Sequence, residues 1–156
     1  STRVRSSAAS DVYKRQMVKL AIKPFDYMSL STIETDRPGN TYTADTLAQI
    51  YDSYKKIYFI IGADSLLYIQ DWYHPEYICS HCHLLCANRD NNSASVLIDQ
   101  KHFLADKYGA VIDFIDVPEL PYSSTDIRKK VAMGLSVKED VGEEVEEYIK
   151  SRKLYV

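Results

Sequence analysis

Hydroxyl side chains and one arginine occur together at the predicted start of a helix, in the segment Ser123–Arg128 (SSTDIR). Free backbone N–H groups at a helix N-terminus bind anions, and hydroxyl groups such as those of Ser124 and Thr125 can add hydrogen bonds. Arg128 lies about one turn further along the same side, where a guanidinium can make a bidentate phosphate contact. The pattern predicts a phosphate site, and a plain helix cap with a surface arginine is the alternative.

A second candidate pair, Gly62 and Asp64, follows the apolar run Ile57–Ile61. Glycine allows a ligand to approach the backbone closely, and aspartate can accept from a ribose or help to hold a metal-bound phosphate. Because glycine and aspartate are also ordinary turn residues, this pair is a weak signal by itself.

Trp72 is the only tryptophan, and it lies in a polar stretch after the same apolar run. It can either stack on a heteroaromatic ring or simply cover the core. Thr43 and Thr46 are three residues apart at the start of a predicted helix, where one can cap while both face a phosphate or an amide. Capping is the simpler interpretation of the two threonines.

Cysteine and histidine are close together in the segment Cys79–Cys86 (CSHCHLLC). Thiolates and imidazoles are zinc ligands, but the second paired cluster of a zinc ribbon is absent from the sequence. Cys82 and Cys86 lie at the edge of and within an apolar strand, where free cysteine is a small hydrophobic residue. We therefore predict no metal site and keep a metal-binding or interaction module as an alternative. The acidic stretch Glu139–Glu147 is predicted to be the solvated face of the last helix.

The elements that would position these residues alternate between strands and helices. Apolar runs such as Ile57–Ile61 are typical of strands buried on both faces of a parallel sheet. The predicted strands are Tyr27–Ile33, Ile57–Ile61, His83–Ala87 and Val111–Ile115, and the predicted helices are Met17–Lys23, Thr43–Tyr54, Ser95–Tyr108, Ser124–Met133 and Val141–Arg152. The order predicts an α/β fold with a Rossmann-like, doubly wound parallel sheet, whose ligands bind beyond the carboxyl ends of the strands.

Length and composition limit the classes of protein that fit. The chain has 156 residues, of which 46% are hydrophobic and 26% charged, with a formal net charge of −3. These values are typical of one globular domain and do not indicate a basic nucleic-acid-binding surface. Because no apolar run has the length of a membrane span and no secretory signal is recognisable, we expect a cytoplasmic protein with no membrane partner. The partners expected at the carboxyl ends of the predicted strands are small molecules. A homo-oligomer remains open.

Residues 1–16 differ from the rest of the chain. The segment is basic and rich in serine, and its last six residues, Asp11–Gln16 (DVYKRQ), are the in-frame translation of a common transposon adapter used in sequencing libraries. We therefore expect residues 1–16 to be a non-native tail that packs against nothing. A natural basic tail is the alternative.

Several segments together resemble bacterial nicotinate-nucleotide adenylyltransferases in order and spacing, from Met17 to Val156. These segments are TYTADTL (41–47), YFIIGADS (58–65), WY (72–73), SSTDIR (123–128) and VEEYI (145–149). The serine-serine-threonine and arginine pattern is shared among nucleotidylyltransferases, whereas the first three segments are more specific.

The resemblance implies transfer of adenylate from ATP to nicotinate mononucleotide with Mg²⁺, giving deamido-NAD and pyrophosphate. In such enzymes the protein mainly positions the reactants and neutralises developing charge. By resemblance, the ATP-binding residues are Gly62, Asp64, Ser124, Thr125 and Arg128. The mononucleotide-binding residues implied in the same way are Thr43, Thr46, Trp72, which would stack on the pyridine ring, and Arg89.

One part of the family pattern is missing from the sequence. The family begins with a strand and a glycine-rich loop that carries a His-x-Gly-His motif, and this sequence contains no such motif. We expect residues 17–156 to be the C-terminal two-thirds or so of a nucleotidylyltransferase domain, inactive or nearly so as it stands. Alternatives are an adenylyltransferase for nicotinamide mononucleotide or phosphopantetheine, and a nucleotide-binding protein without catalysis.

Overall fold

The computed structural model describes residues 8–54, 56–88, 94–118 and 122–156. Its helices are α1 (Ala8–Ile22), α2 (Thr43–Ile50), α3 (Ala63–Leu67), α4 (Pro75–His81), α5 (Ala94–Tyr108), α6 (Ser124–Ala132), α7 (Lys138–Val141) and α8 (Glu143–Ser151). Its strands are β1 (Tyr58–Gly62), β2 (His83–Asn88) and β3 (Val111–Asp116). The described residues form two compact units, the first within Arg37–Glu119 and the second within Val4–Asp36 and Leu120–Val156.

The first unit contains a three-stranded parallel sheet in the order β1-β2-β3. Tyr58 of β1 is opposite His83 of β2, which in turn is opposite Val111 of β3. Because the strands are parallel, the ends at Gly62, Asn88 and Asp116 share one edge of the sheet. The predicted α/β class and parallel sheet are confirmed, and β1, β2 and β3 each lie within one residue of their predicted bounds at either end.

One face of this sheet forms the core of the first unit. Buried side chains of the strands, among them Leu84 and Ile112, meet buried side chains of the helices, among them Leu66, Ile78 and Leu104. Full burial of one such side chain contributes roughly 1.5–3 kcal/mol. Apolar packing therefore holds the first unit together.

The other face of the sheet is open in the part of the first unit that the structure describes. Ile60 is 66% exposed, and Tyr58 and Val111 are also exposed. The prediction that Ile57–Ile61 is buried on both faces is therefore wrong. Successive side chains of a strand point to opposite faces, so an apolar run does not tell whether one face or both are covered.

Residues 23–40 contain turns and bends where the sequence predicts a strand at Tyr27–Ile33. Met28 N–H donates to the Phe25 carbonyl at 3.1 Å, and Asp36 N–H donates to the Thr32 carbonyl at 2.9 Å. Tyr27 is 76% exposed. The strand prediction is wrong because alternating apolar residues make a strand only where a neighbouring strand pairs with them.

Helix α1 runs through the boundary predicted at Met17 and ends at Ile22, just before Pro24. Residues 8–16 are therefore helical, and the Arg15 guanidinium lies 3.6 Å from the Asp36 carboxylate. The expectation that residues 1–16 pack against nothing is wrong for Arg15. The non-native origin of the segment stays a prediction.

The predicted last helix, Val141–Arg152, is divided into α7 and α8. Gly142 lies between them with φ +85° and ψ 158°, a backbone conformation outside the helical region that interrupts an α-helix and that glycine adopts without a Cβ clash. No helix in the described ranges is long and apolar enough to cross a membrane.

Two carboxylates of the acidic stretch are buried, contrary to the prediction of a wholly solvated face. Glu146, 7% exposed, accepts from Ser136 Oγ at 2.7 Å, Val137 N–H at 2.8 Å and Lys150 Nζ at 3.0 Å. These bonds hold the pKa of Glu146 at about 2, with the Ser136 bond the largest cause. Asp140 accepts from Lys130 Nζ at 2.6 Å. Buried polar contacts thus support the C-terminal helices.

Candidate active site

Helix α2 begins without a side-chain cap. Tyr42 occupies the N-cap position in an extended conformation (φ −119°, ψ 142°), and Thr43 is the first helical residue. The prediction that Thr43 caps the helix is wrong, since the cap residue needs extended backbone angles and Tyr42 takes that place. No hydrogen bond from the described residues reaches the Thr43 hydroxyl.

The Thr46 hydroxyl is held from two sides. It accepts from Arg37 Nη2 at 2.7 Å and donates to the Tyr42 carbonyl at 3.3 Å. Arg37, which the sequence places in turn-forming residues before the helix, is thus bonded to a predicted site residue. The sequence does not indicate this role, because an arginine in a polar turn gives no sign that it is largely buried.

Gly62 and Asp64 lie at the carboxyl end of β1, as the sequence predicts. Gly62 is the last residue of the strand and the N-cap residue of α3, and a Cβ built on it would meet nothing within 4 Å. Its neighbour in the sheet is Ala87, another small residue. Asp64 is exposed in the first turn of α3. The backbone at this edge is therefore open to a ligand.

Trp72 packs against the core of the first unit, with its ring edge-to-face to Phe59 at a centroid distance of 6.3 Å. The next residue, Tyr73, lies with its ring centroid 4.4 Å from that of Tyr42. This aromatic pair joins the segment of Trp72 to the start of α2, and so the first unit brings the two predicted acceptor-binding segments together. Arg89 lies outside the described residues.

In the second unit, helix α6 carries Ser124, Thr125 and Arg128, which are all exposed. Ser123 caps the helix: its Oγ accepts from Asp126 N–H at 3.0 Å and donates to the Asp126 carboxylate at 2.6 Å. The helix cap that the sequence offers as the alternative to a phosphate site is therefore present. Arg128 Nη2 donates to Ser124 Oγ at 2.9 Å, so these two predicted phosphate ligands are in contact.

Ser124 and Arg128 line a cavity of about 710 Å³ within the second unit. Its apolar wall comes from α1, α6, α7, α8 and the C-terminal segment, with Met17, Val18, Ala21, Ile127, Val141, Val145, Ile149 and Tyr155 among the lining residues. The two polar side chains therefore lie beside an apolar surface that could hold the uncharged part of a ligand.

A second cavity, of about 610 Å³, lies in the first unit beside α2, α4 and the end of α5. His74, Glu76, His81 and Lys107 contribute to its wall, whereas none of the predicted site residues does. The Nδ1 atom of His74 is 2.9 Å from the Glu76 carboxylate, which lowers the pKa of that carboxyl. No pattern in the sequence indicates this cavity.

The three cysteines are buried as free thiols. Burial raises the pKa of Cys79 to about 11 and that of Cys82 to about 12. The thiolate is the form that binds zinc and attacks disulfides, so these thiols are poorly suited to either chemistry. Within the described ranges, no three His, Cys, Asp or Glu side chains come together as a metal site.

The chain is similar in sequence to a known protein family and to several of its members. The sequence matches the Cytidylyltransferase-like family over residues 6–130, which is most of the chain. The probable nicotinate-nucleotide adenylyltransferase of Lachnoclostridium phytofermentans is 33% identical to it, over 97% of this chain and 76% of the relative. The protein of the same name from Moorella thermoacetica is 38% identical, over 92% of this chain and 67% of the relative.

Two solved structures of Plasmodium falciparum nicotinic acid mononucleotide adenylyltransferase share the fold. The complex with NaAD superposes with a TM-score of 0.69 at 19% identity and covers 99% of this chain and 79% of that one. The complex with APC superposes with a TM-score of 0.67 at 19% identity and covers 92% of this chain and 75% of that one. The parallel sheet, the motif residues at its carboxyl edge and these similarities agree: the chain belongs to the Cytidylyltransferase-like family and, within it, to the nicotinate-nucleotide adenylyltransferases.

Proposed function

We propose that this chain binds ATP and nicotinate mononucleotide for transfer of adenylate, the reaction that yields deamido-NAD and pyrophosphate. The observation that carries the proposal is the identity of 33–38% to nicotinate-nucleotide adenylyltransferases over more than nine-tenths of the chain. The TYTADTL, IIGAD and Trp-Tyr segments lie within the aligned region and supply the residues for the acceptor and for ATP.

The acceptor mononucleotide is assigned to the first unit. Trp72, which is only partly buried, would stack on the pyridine ring. The Thr46 proton is directed at the Tyr42 carbonyl, so Thr43 is the threonine better able to donate to the acceptor. Arg89 keeps its proposed acceptor role from the resemblance alone.

The ATP residues are assigned by the resemblance. Gly62 and Asp64 would lie against the nucleoside, since the backbone at Gly62 is open and Asp64 is exposed. Ser124, Thr125 and Arg128 would bind phosphates through the start of α6 and the guanidinium. Mg²⁺ in proteins is held by one or two carboxylates together with substrate phosphates, and Asp64 is a carboxylate that fits this role. The ion would neutralise phosphate charge.

A side-by-side titration tests the acceptor assignment. The chain is titrated with nicotinate mononucleotide, nicotinamide mononucleotide and phosphopantetheine in separate experiments, and the fluorescence of Trp72 is recorded, since it is the only tryptophan. We expect saturable quenching with nicotinate mononucleotide and weaker binding of the other two. Trp72→Phe, which keeps an aromatic ring, should retain part of the affinity when binding is measured by calorimetry.

The other outcomes select among the alternatives. Tighter binding of the amide or of phosphopantetheine would assign a related adenylyltransferase, and no binding of any of the three would contradict the proposal. Pyrophosphate release is recorded in the same samples with ATP and Mg²⁺, and the missing His-x-Gly-His motif predicts little or none. The cytoplasmic location stays a prediction.

A further inference from the structure

Arg37 is a largely buried arginine in a polar segment. Its side chain is only 16% exposed, although the preceding Asp36 side chain is 64% exposed. Arginine is rarely buried unless its guanidinium meets acceptors. The contacts of Arg37 therefore need a reason beyond the turn that the sequence Arg37-Pro38-Gly39-Asn40 predicts.

A chain of hydrogen bonds runs from Arg37 into the start of α2. Arg37 Nη2 donates to Thr46 Oγ1 at 2.7 Å, and Thr46 Oγ1 donates to the Tyr42 carbonyl at 3.3 Å. The same carbonyl accepts from Thr46 N–H at 3.2 Å, the bond that closes the first turn. Arg37 thus supports this turn from outside the helix, in place of a side-chain cap.

The chain continues to the segment of Trp72. The Tyr42 ring packs on the Tyr73 ring with the two ring centroids 4.4 Å apart, and Tyr73 directly follows Trp72 in the sequence. One buried guanidinium is therefore linked to both segments that the proposed function assigns to the acceptor.

The remaining nitrogens of Arg37 are poorly satisfied. Within the described residues, Nε and Nη1 are buried without a hydrogen-bond partner. Nη1 lies 3.5 Å from the Asp45 carboxylate, whose side chain is 44% exposed. Buried donors without acceptors are unfavourable, so the stability of this region alone does not account for an arginine here.

We propose that Arg37 is a positioning residue of the acceptor site: it fixes the first turn of α2 through Thr46 and so preorganises the segment that binds the mononucleotide. The proposal rests on the proposed function, because it assigns Arg37 to that same site. Arg37 acts through Thr46 and makes no contact with the acceptor. A planar guanidinium holds one donor toward Thr46 with little loss of rotamer freedom, whereas lysine supplies a mobile point charge.

The test combines affinity with local dynamics. Binding of nicotinate mononucleotide and, separately, of ATP with Mg²⁺ is measured by calorimetry for the parent chain and for Arg37→Gln, Arg37→Lys, Thr46→Val and the double variant Arg37→Gln/Thr46→Val. Arg15→Gln is the matched control, because Arg15 contacts Asp36 beside Arg37. Amide hydrogen exchange of α2 is recorded for each variant.

We expect Arg37→Gln to weaken binding of nicotinate mononucleotide about tenfold, since a hydrogen bond from a charged donor is lost. Arg37→Lys should recover part of that loss, and ATP affinity should stay within about twofold of the parent chain. The double variant should be no weaker than Arg37→Gln alone, because the two residues act in one chain. Exchange at Asp45–Leu47 should become faster in Arg37→Gln and not in Arg15→Gln.

Three results would overturn the inference. They are unchanged mononucleotide affinity in a folded Arg37→Gln, additive losses in the double variant, and parallel losses of ATP and mononucleotide affinity that indicate a general structural defect. A parent chain that binds no mononucleotide would contradict the proposed function itself. That failure is distinct, because it is observed before any variant is made.

Discussion

Two helix starts in this chain have the same sequence signal and are built in different ways. Both α2 and α6 begin at closely spaced hydroxyl residues, and both are assigned to anionic ligands. At α6 the cap is local: Ser123 and Asp126 bond to each other three residues apart, and their side chains are exposed. At α2 no side chain caps the helix, and the support comes from the largely buried Arg37 through Thr46.

The units that contain the two helices also differ in what stabilises them. The first unit has a continuous apolar core, in which Leu84 and Leu104 are fully buried. In the second unit a buried carboxylate, Glu146, ties the backbone before α7 to helix α8. A hydroxyl-rich helix start therefore identifies a candidate anion site without telling what holds that site in place.

The largest expected effect is in the core of the first unit. Leu84→Ala should lower the free energy of unfolding by about 2–5 kcal/mol, because it leaves a cavity among fully buried side chains. Urea denaturation followed by circular dichroism measures this loss. Ile60→Ala, at a position 66% exposed on the same sheet, is the control and should cost about 0.5 kcal/mol. Similar losses in the two variants would contradict the one-sided core.

A smaller effect is expected from Glu146, and it depends on pH. The pKa of this carboxyl is lowered from 4.5 to about 2 in the folded chain, so its contribution to stability is complete above the unfolded value. That contribution is lost as the pH falls from about 4.5 to about 2. The melting temperature of the parent chain should therefore decrease more steeply over this range than that of Glu146→Gln.

Glu147→Gln is the matched control for this pH dependence, because Glu147 is exposed next to Glu146 on the same helix. The melting temperature of Glu147→Gln should depend on pH as steeply as that of the parent chain. If Glu146→Gln and the parent chain show the same slope, polar contacts at this carboxylate do not support the second unit.

The smallest expected effect distinguishes the starts of α2 and α6 directly. Ser123→Ala removes the cap of α6 and should cost about 1 kcal/mol, with faster amide exchange in the first turn of α6. Ser124→Ala, one residue further on, leaves the cap in place and is the control. Thr43→Ala should likewise leave α2 unchanged, because Tyr42 is the N-cap residue there. Faster exchange in Thr43→Ala would show that both helices are capped locally.

The sequence predicts the parts of the fold that depend on local pattern. The apolar runs at β1, β2 and β3 and the start and end of α5 are found as expected, since periodicity and a terminal glycine at Gly109 are local signals. The strand predicted at Tyr27–Ile33 is not found, because pairing of a strand depends on a neighbour elsewhere in the chain. Gly142 divides the last helix because a single positive φ is enough to interrupt it.

For the site, the sequence identifies residues and misses their supports. Gly62 and Asp64 are at the predicted edge of the sheet, and Ser124 is in contact with Arg128. The bond between Arg37 and Thr46 spans nine positions and depends on burial, which a polar turn sequence does not indicate. The same holds for Glu146, an acidic residue among acidic neighbours whose partners come from α8 and the preceding loop.

The most direct test of the central claim is calorimetric binding of deamido-NAD, the product of the proposed reaction, to the parent chain, Trp72→Ala and Arg128→Ala. We predict saturable binding to the parent chain and weaker binding in both variants, because the resemblance assigns Trp72 to the pyridine ring and Arg128 to a phosphate. Lys129→Ala, at an exposed neighbour of Arg128, should bind as the parent chain does. The absence of binding to the parent chain, or equal affinity in all four proteins, would contradict the assignment.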